Sequence, residues 1–240
     1  MRRSILFSRA ILFGVFLYAF PVFTVIAQEK IGVIVVDVQG DFTTWKKGAL
    51  AVPGTDQTFI RKLESATALL ARNGFTIYAT QDWHPADHIS FAVNHPGKVP
   101  FDTIEIGSRT QTLWPPHCVQ GTERAKVLLD NNMFLAIVKK GQNTQFGGYS
   151  GFQDDGGART EMHAILGAAG IRKLIIYGIA TDHSVKATAI DAVIRGYKVA
   201  VIEGLSKGIT PEATAKALQE MRAKGVLLLK EIDMTRIAAM

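Results

Sequence analysis

The sequence predicts one α/β domain in which a mostly parallel β-sheet carries helices on both faces. Short β-branched apolar runs alternate along the chain with segments of helical periodicity. Alternating strands and helices build parallel sheets, whose ligands gather beyond the carboxyl ends of the strands. The chain has 240 residues and is 48% hydrophobic, which is enough for one core of ordinary size.

Five short apolar runs have the composition of buried strands. The first, IGVIVV at 31–36, is rich in β-branched residues and ends at Asp37, as expected of a strand buried on both faces. Similar runs span 76–80, 135–138, 174–177 and 199–202. Helical patterns lie between or after them, at 58–72, 161–169, 184–195 and 211–224. The last begins at Pro211 and is followed by Gly225, which are typical helix boundaries.

The first 27 residues have the pattern of a cleavable signal peptide. Three arginines precede an uncharged apolar stretch from Ala10 to Ala27, and the small residue at its end suits signal peptidase. A retained membrane anchor is the alternative, because the stretch approaches the length that crosses a bilayer. Pro21 interrupts it and favours cleavage. We therefore expect a signal peptide at 1–27, one mature domain at 28–240, and export to the periplasm without a membrane anchor.

The net charge argues against a nucleic-acid-binding protein, and the cysteine content excludes a disulfide-stabilised one. Removal of residues 1–27 takes away three arginines and no acid, so the formal charge falls from +6 to +3. That charge is too small to indicate a nucleic-acid partner. Cys118 is the only cysteine, so no intramolecular disulfide forms. Between Pro116 and Val119, we expect it to pack as a small buried hydrophobe rather than to react.

A long segment with little periodicity, 83–132, carries most of the histidines. Asp82 closes the strand before it, and His84, His88 and His117 follow. A carboxylate and two imidazoles, with room for water, suit zinc, manganese or iron. The alternative is a set of ordinary loop histidines, as we expect of His95. Loops of this length in compact domains are usually functional.

Two further clusters lie at predicted strand ends. Asp37 and Lys140 each end a strand and predict either a proton-transfer pair or a structural ion pair. Residues 178–185 predict a strand, a tight turn and a helix start, where backbone N–H groups hold anionic oxygen. Ser184 lies in that turn, as a candidate nucleophile or an ordinary N-cap.

Together these segments resemble the nicotinamidase/pyrazinamidase family of the isochorismatase-like hydrolases, from about residue 31 to residue 208. The matching stretches are VDVQGDF at 36–42, QDWHP at 81–85, WPPHCVQGT at 114–122, KG at 140–141, YSGF at 149–152 and GIATDH at 178–183. Several motifs in the same order make the resemblance specific.

The resemblance implies roles for the polar positions. Asp37 matches the general base of the family, and Lys140 matches the lysine that pairs with it. One divalent metal ion is implied, with zinc expected first and manganese or iron as alternatives. The matching metal ligands are Asp82, His84, His117 and, in some members, His88.

The resemblance also implies a substrate pocket. Phe42 and Trp114 match aromatic residues that sandwich a pyridine ring, and Tyr149 lines the same pocket. The bond between Ile179 and Ala180 matches a cis peptide that turns the Ala180 N–H toward the substrate oxygen.

The implied reaction is metal-dependent hydrolysis of nicotinamide, or a similar heteroaromatic carboxamide, to nicotinic acid and ammonia through an acyl-enzyme. A homo-oligomer is compatible with it. Ser184, however, stands where the family has a nucleophilic cysteine, and a serine must lose its proton to a positioned base. Two alternatives therefore stay open: a nicotinamide-binding relative with impaired catalysis, and a metal-free isochorismatase-like hydrolase.

Overall fold

The protein is described by a computed structural model over residues 29–107 and 109–240. The expected signal peptide at 1–27 lies outside the described residues, as does residue 28, the first of the expected mature domain. Within the described ranges, no helix combines the length and the apolar character that a bilayer span requires.

Strands and helices alternate as the sequence predicts. In chain order they are β1 (Lys30–Val36), α1 (Gln57–Arg72), β2 (Thr76–Asp82), β3 (Thr103–Ile106), β4 (Arg109–Thr112), β5 (Ala136–Lys140), α2 (Met162–Ala168), β6 (Ile171–Gly178), α3 (Lys186–Ile194), β7 (Lys198–Ile202), α4 (Pro211–Ala223), β8 (Leu227–Leu229) and α5 (Met234–Ala238).

One six-stranded sheet forms the centre of the fold, with strand order β5-β2-β1-β6-β7-β8. All five pairings in it are parallel. Side chains of β1 alternate between two apolar clusters, with Val33 in one and Ile34 in the other. Helices α1 and α5 pack in the first cluster, and α2, α3 and α4 in the second. The predicted fold, a parallel sheet with helices on both faces, is confirmed.

Local signals set the helix boundaries. The Asp56 side chain accepts a hydrogen bond from the Phe59 N–H at the start of α1, and Thr210 caps α4 before Pro211. The helix expected from residue 184 begins instead at Lys186, because residues 181–185 wind as a π-helical turn.

Three features are absent from the sequence prediction. The hairpin of β3 and β4 lies in the long segment predicted to have little regular structure. Its first strand is exposed at every second residue and only half-buried between them, so the apolar signal is weak. Strand β8 and helix α5 have three and five residues, and tertiary packing rather than periodicity defines elements that short.

The sheet brings the polar strand ends together. Strands β5, β2, β1 and β6 are consecutive neighbours. Lys140 and Asp82 are the last residues of β5 and β2 and are paired in register, while Asp37 follows the end of β1. The candidate catalytic residues therefore meet at one carboxyl edge, as expected for a parallel sheet.

Candidate active site

The Lys140 ammonium lies at the centre of the site, between two carboxylates. Its Nζ is 2.8 Å from Asp37 Oδ2 and 2.6 Å from Asp82 Oδ1. It also donates to the Gly148 carbonyl at 2.9 Å. The sequence predicted that Lys140 pairs with Asp37, but it indicated for Asp82 only a role as a metal ligand. The structure shows that Lys140 joins the two clusters.

Burial and mutual attraction set the charges of this triad. Burial raises the pKa of Asp37 to about 6, although Lys140 opposes the shift. Burial also acts against the charge of Asp82, yet Lys140 and His84 hold its pKa well below the ordinary value. The two carboxylates outweigh burial at Lys140 and raise its pKa. At neutral pH the triad thus holds two carboxylates and one ammonium.

Asp82, His84 and His117 offer ligand atoms that lie within 4.8 Å of one another. The Nδ1 atom of His84 lies 2.8 Å from the Gly141 carbonyl oxygen. The Nδ1 atom of His117 lies 2.8 Å from the Pro115 carbonyl oxygen. A carbonyl only accepts, so Nδ1 carries the proton and Nε2 keeps its lone pair. Burial lowers the pKa of His117 to about 3, which keeps this imidazole neutral.

This donor set fits a divalent ion. Two imidazoles oriented through their second nitrogen, with one carboxylate, are the usual ligands and outer contacts of a zinc site. The three residues predicted as metal ligands are therefore brought together by the fold.

The fourth residue predicted as a ligand, His88, does not offer a nitrogen to this set. Its ring centroid is 4.4 Å from that of His84, but Nδ1 lies 2.7 Å from Ser90 Oγ and Nε2 lies 3.1 Å from the Phe146 carbonyl. Protein groups thus occupy both nitrogens. Burial lowers its pKa to about 4, so the ring is neutral.

A cleft opens beside Asp82, with about 410 Å³ of space between the protein atoms when its open mouth is included. The four residues predicted to bind substrate, Phe42, Trp114, Tyr149 and Ala180, all line it together with Ser184. Trp114 Nε1 donates to the Tyr149 hydroxyl at 3.1 Å, which fixes the two aromatic walls relative to each other. Asp82 and His117 also line this cleft, so the candidate metal site and the candidate substrate pocket are continuous.

Several site residues escaped the sequence prediction. Leu50, Val52 and Ile209 complete the apolar lining, but they lie in two loops, one before α1 and one before α4, that carry no motif. His183 also lines the cleft, with its ring 5.5 Å from the rings of Trp114 and Tyr149. Its position directly before Ser184 in the sequence is the signal that could have identified it as a site residue.

Gln39 was missed as a support of Asp82, the carboxylate predicted to bind the metal. Its side-chain amide donates to the Asp82 carbonyl and accepts from the Asp82 N–H, both at 2.8 Å. A glutamine in the motif at 36–42 was the available signal, since a buried amide needs partners.

Ser184 lies in the π-helical turn Thr181–Val185 rather than at a cap position. The residues at the cap positions of this turn and of α3 are Ala180 and Val185, so the interpretation of Ser184 as an N-cap is wrong. Its Oγ is 3.4 Å from Lys140 Nζ. The Ile179–Ala180 bond is cis, as the resemblance implied. No acceptor among the described residues takes the Ala180 N–H, which leaves it free for a substrate oxygen.

Cys118 has the structural role that its neighbours predict. It is fully buried, and burial raises the pKa of its thiol well above the ordinary value. A thiol of this kind is not a ready nucleophile.

The fold and the site define an α/β protein with a candidate nucleophile, Ser184, in the same cleft as a ligand set that fits a divalent ion. Residues 32–231 match the isochorismatase domain family, and the chain belongs to that family. The nicotinamidase of Acinetobacter baylyi is 44% identical over 197 residues, which cover 80% of this chain and 89% of that protein.

Solved structures agree with this assignment. Pyrazinamidase of Pyrococcus horikoshii in complex with zinc is 34% identical, with a TM-score of 0.71 over 84% of this chain and 99% of that one. The yeast nicotinamidase bound to the inhibitor nicotinaldehyde is 32% identical, with a TM-score of 0.75 over 84% and 100%. These relatives confirm the resemblance to the nicotinamidase/pyrazinamidase family and mark the chain as an amidohydrolase.

Proposed function

We propose that the protein hydrolyses nicotinamide, or a similar heteroaromatic carboxamide, to the carboxylic acid and ammonia. The observation that carries the proposal is the position of Ser184, beside Lys140 at the base of a cleft with aromatic walls. Relatives named nicotinamidase and pyrazinamidase support the substrate class.

The chain's own residues supply the proton transfers. Ser184 Oγ attacks the amide carbon while Asp37 accepts the hydroxyl proton, and the proton then leaves with ammonia. A pKa of about 6 makes Asp37 a better base near neutral pH than an ordinary aspartate. Water then gives a proton to the same carboxylate and attacks the acyl carbon. The bond between that carbon and Ser184 Oγ breaks, the proton returns to Oγ, and the free acid leaves. Lys140 stays charged throughout and orients Asp37.

The cleft binds and orients the substrate. Phe42 and Trp114 both line it and, as the resemblance implies, hold a flat aromatic ring between them, while the Ala180 N–H donates to the carbonyl oxygen as negative charge develops. That charge exists only in the transition state, so this hydrogen bond favours reaction over ground-state binding.

We propose one divalent ion, zinc first, held by Asp82, His84 and His117. When bound, such an ion would supply Lewis-acid chemistry that orients the substrate ring and provides a water, as the resemblance implies. The chemistry of the donor set supports it, and so does the excess negative charge of the buried triad, which a cation offsets. The zinc in the Pyrococcus horikoshii structure supports the choice of metal.

The serine favours a second candidate function, a carboxamide-binding protein with little turnover. A serine hydroxyl is a far weaker acid than a thiol, and a buried aspartate is a modest base for it. The metal-free alternative receives no support, because the Asp82, His84 and His117 ligand set is complete.

One experiment separates these functions. Ammonia release from nicotinamide by the purified protein is measured with added zinc and after chelation, and nicotinamide binding is measured by calorimetry on the same sample. Turnover that needs metal supports the hydrolase, whereas binding without ammonia release supports the binding protein.

We also propose that the protein is exported and that the mature chain begins near residue 28. The charged start, apolar stretch and small final residue of 1–27 support this. Cell fractionation and N-terminal sequencing of the recovered protein test it. Recovery of the full-length chain in the membrane fraction would contradict it.

A further inference from the structure

Asp41 is a buried carboxylate beside the active site to which neither the mechanism nor the metal set assigns a role. It belongs to a short 3₁₀ turn, Gly40–Phe42, that follows β1, and it is only 6% exposed. Among the described residues, none forms an ion pair with it. Its oxygens are instead directed at backbone N–H groups.

The carboxylate of Asp41 holds the loop that carries a metal ligand. Its Oδ2 accepts the Cys118 N–H at 2.7 Å across 77 positions of the chain. Cys118 has φ of +46°, a left-handed conformation that residues other than glycine rarely adopt. Such a conformation persists only where the surroundings hold it, and the neighbour of Cys118 is the ligand His117.

The backbone of Cys118 also connects Asp41 to His84, the second imidazole of the proposed metal site. The Cys118 carbonyl accepts the His84 N–H at 3.0 Å, and His84 and Val119 form a parallel bridge. The backbone of Cys118 thus has Asp41 on its N–H and His84 on its carbonyl. A shift of this residue would move both imidazole ligands.

Asp41 also fixes one side of the substrate cleft. Its Oδ1 accepts the Ala49 N–H at 3.3 Å, and its backbone carbonyl accepts the Leu50 N–H at 3.0 Å. Leu50 and the next residue in the turn, Phe42, both line the cleft.

We propose that Asp41 is a positioning residue that couples the metal site to the substrate wall, by holding the His117–Cys118 backbone against the turn that carries Phe42. The inference rests on the proposed metal and carboxamide site. Asp41 contacts neither metal nor substrate and acts through the residues that do.

The test is Asp41→Asn, which keeps the size of the side chain. An asparagine has one acceptor oxygen, so it leaves either the Cys118 or the Ala49 N–H without a partner. We expect zinc affinity, measured by competition with a chromophoric chelator, to fall on the order of tenfold or more, as for other outer contacts of metal ligands. We also expect KM for nicotinamide to rise more than kcat falls when zinc is saturating.

The matched control is Asp130→Asn. Asp130 accepts the Asn132 N–H at 3.0 Å in an exposed turn and has no contact with the site, so zinc affinity and KM should stay at the wild-type values. If Asp41→Asn lowers the thermal unfolding temperature while zinc affinity and KM both remain within twofold of wild type, the role is only structural and the proposal is overturned.

A second variant tests the route through Cys118. Glycine adopts positive φ without strain, so Asp41→Asn should weaken zinc binding less in a Cys118→Gly background than in the wild type. An equal loss in both backgrounds would overturn the proposed route. Zinc binding does not require turnover, so a protein that binds zinc but releases no ammonia would contradict the proposed function, and the zinc affinities would still decide this proposal.

Discussion

The ammonium of Lys140 lies 2.6 Å from Oδ1 of Asp82, whose other oxygen faces the imidazole of His84. One carboxylate therefore belongs to both the proton-transfer cluster and the candidate metal site. Because the ammonium and the candidate metal ligands share this carboxylate, a change at either cluster should be felt at the other.

Lys140→Met should destabilise the fold. It removes the only ammonium between two buried carboxylates, Asp37 and Asp82, and breaking a buried ion pair from one side typically costs about 3–5 kcal/mol. Urea denaturation of the metal-free protein measures the loss. Lys139→Met, on the same strand but exposed, is the control and should change the free energy of unfolding little. A loss no larger than that of the control would show that the triad is not held as described.

His84→Ala or His117→Ala should lose the bound metal, because a three-ligand site that loses one ligand is usually too weak. Metal content of the purified variants, measured by elemental analysis, should fall from about one ion per chain to nearly none. His163→Ala is the control, since His163 contacts Tyr197 far from the ligand set. Unchanged metal content in both ligand variants would show that the assigned ligands are wrong.

Ser184→Cys should raise the rate of ammonia release on the order of 10²-fold, which corresponds to ~3 kcal/mol of barrier. The reason is that a thiol loses its proton to Asp37 far more readily than a hydroxyl does. Asp37→Asn in the cysteine background should abolish the gain, because no acceptor remains. An unchanged or lower rate, with fold and metal intact, would show that the site has adapted to serine or to binding alone.

Thiol reagents should not inactivate the protein as it stands. Its one cysteine, Cys118, is fully buried with a raised pKa, and reactivity requires an accessible thiolate. In Ser184→Cys, iodoacetamide should inactivate the enzyme, and bound nicotinamide should slow that reaction. Mass spectrometry should find the label on residue 184 and not on residue 118. Rapid labelling of Cys118 in the native protein would contradict the burial described.

The pH dependence should follow Asp37. Its pKa is raised to about 6 by burial, and only the ionised form accepts a proton, so kcat/KM should be high above that pH and fall as the pH drops through it. The Thr80 hydroxyl donates to Asp37 Oδ1 at 2.6 Å and favours the charged form. Thr80→Val should therefore move the midpoint upward, on the order of one pH unit.

The matched control for the pH profile is Thr67→Val. Thr67 is an equally buried threonine whose hydroxyl bonds the Leu63 carbonyl and the Tyr177 hydroxyl, away from Asp37. Both profiles are measured at saturating zinc, so that protonation of the ligands does not limit activity. An acid limb that is the same in Thr80→Val and Thr67→Val would show that Asp37 is not the base.

The sequence alone determined the fold class and most of the site. The alternation of apolar runs with helical segments predicts a parallel sheet. Strands that are buried on both faces are recognisable in the sequence because they consist almost entirely of apolar, often β-branched residues. Asp37, Asp82 and Lys140 were recognisable because each stands where an apolar run stops. The motifs that contain Phe42, Trp114 and Ala180 resembled a known family strongly enough to indicate their roles.

Only the tertiary structure decided which of these groups touch. Strand order makes Lys140 a partner of Asp82 as well as of Asp37, and no spacing along the chain encodes strand order. His88 differs from the three predicted ligands because Ser90 and the Phe146 carbonyl contact both of its ring nitrogens. Only the side-chain geometry shows this. The link from Asp41 to Cys118 spans 77 positions. Such contacts depend on packing between distant segments, whereas composition and periodicity record only the local environment of each residue.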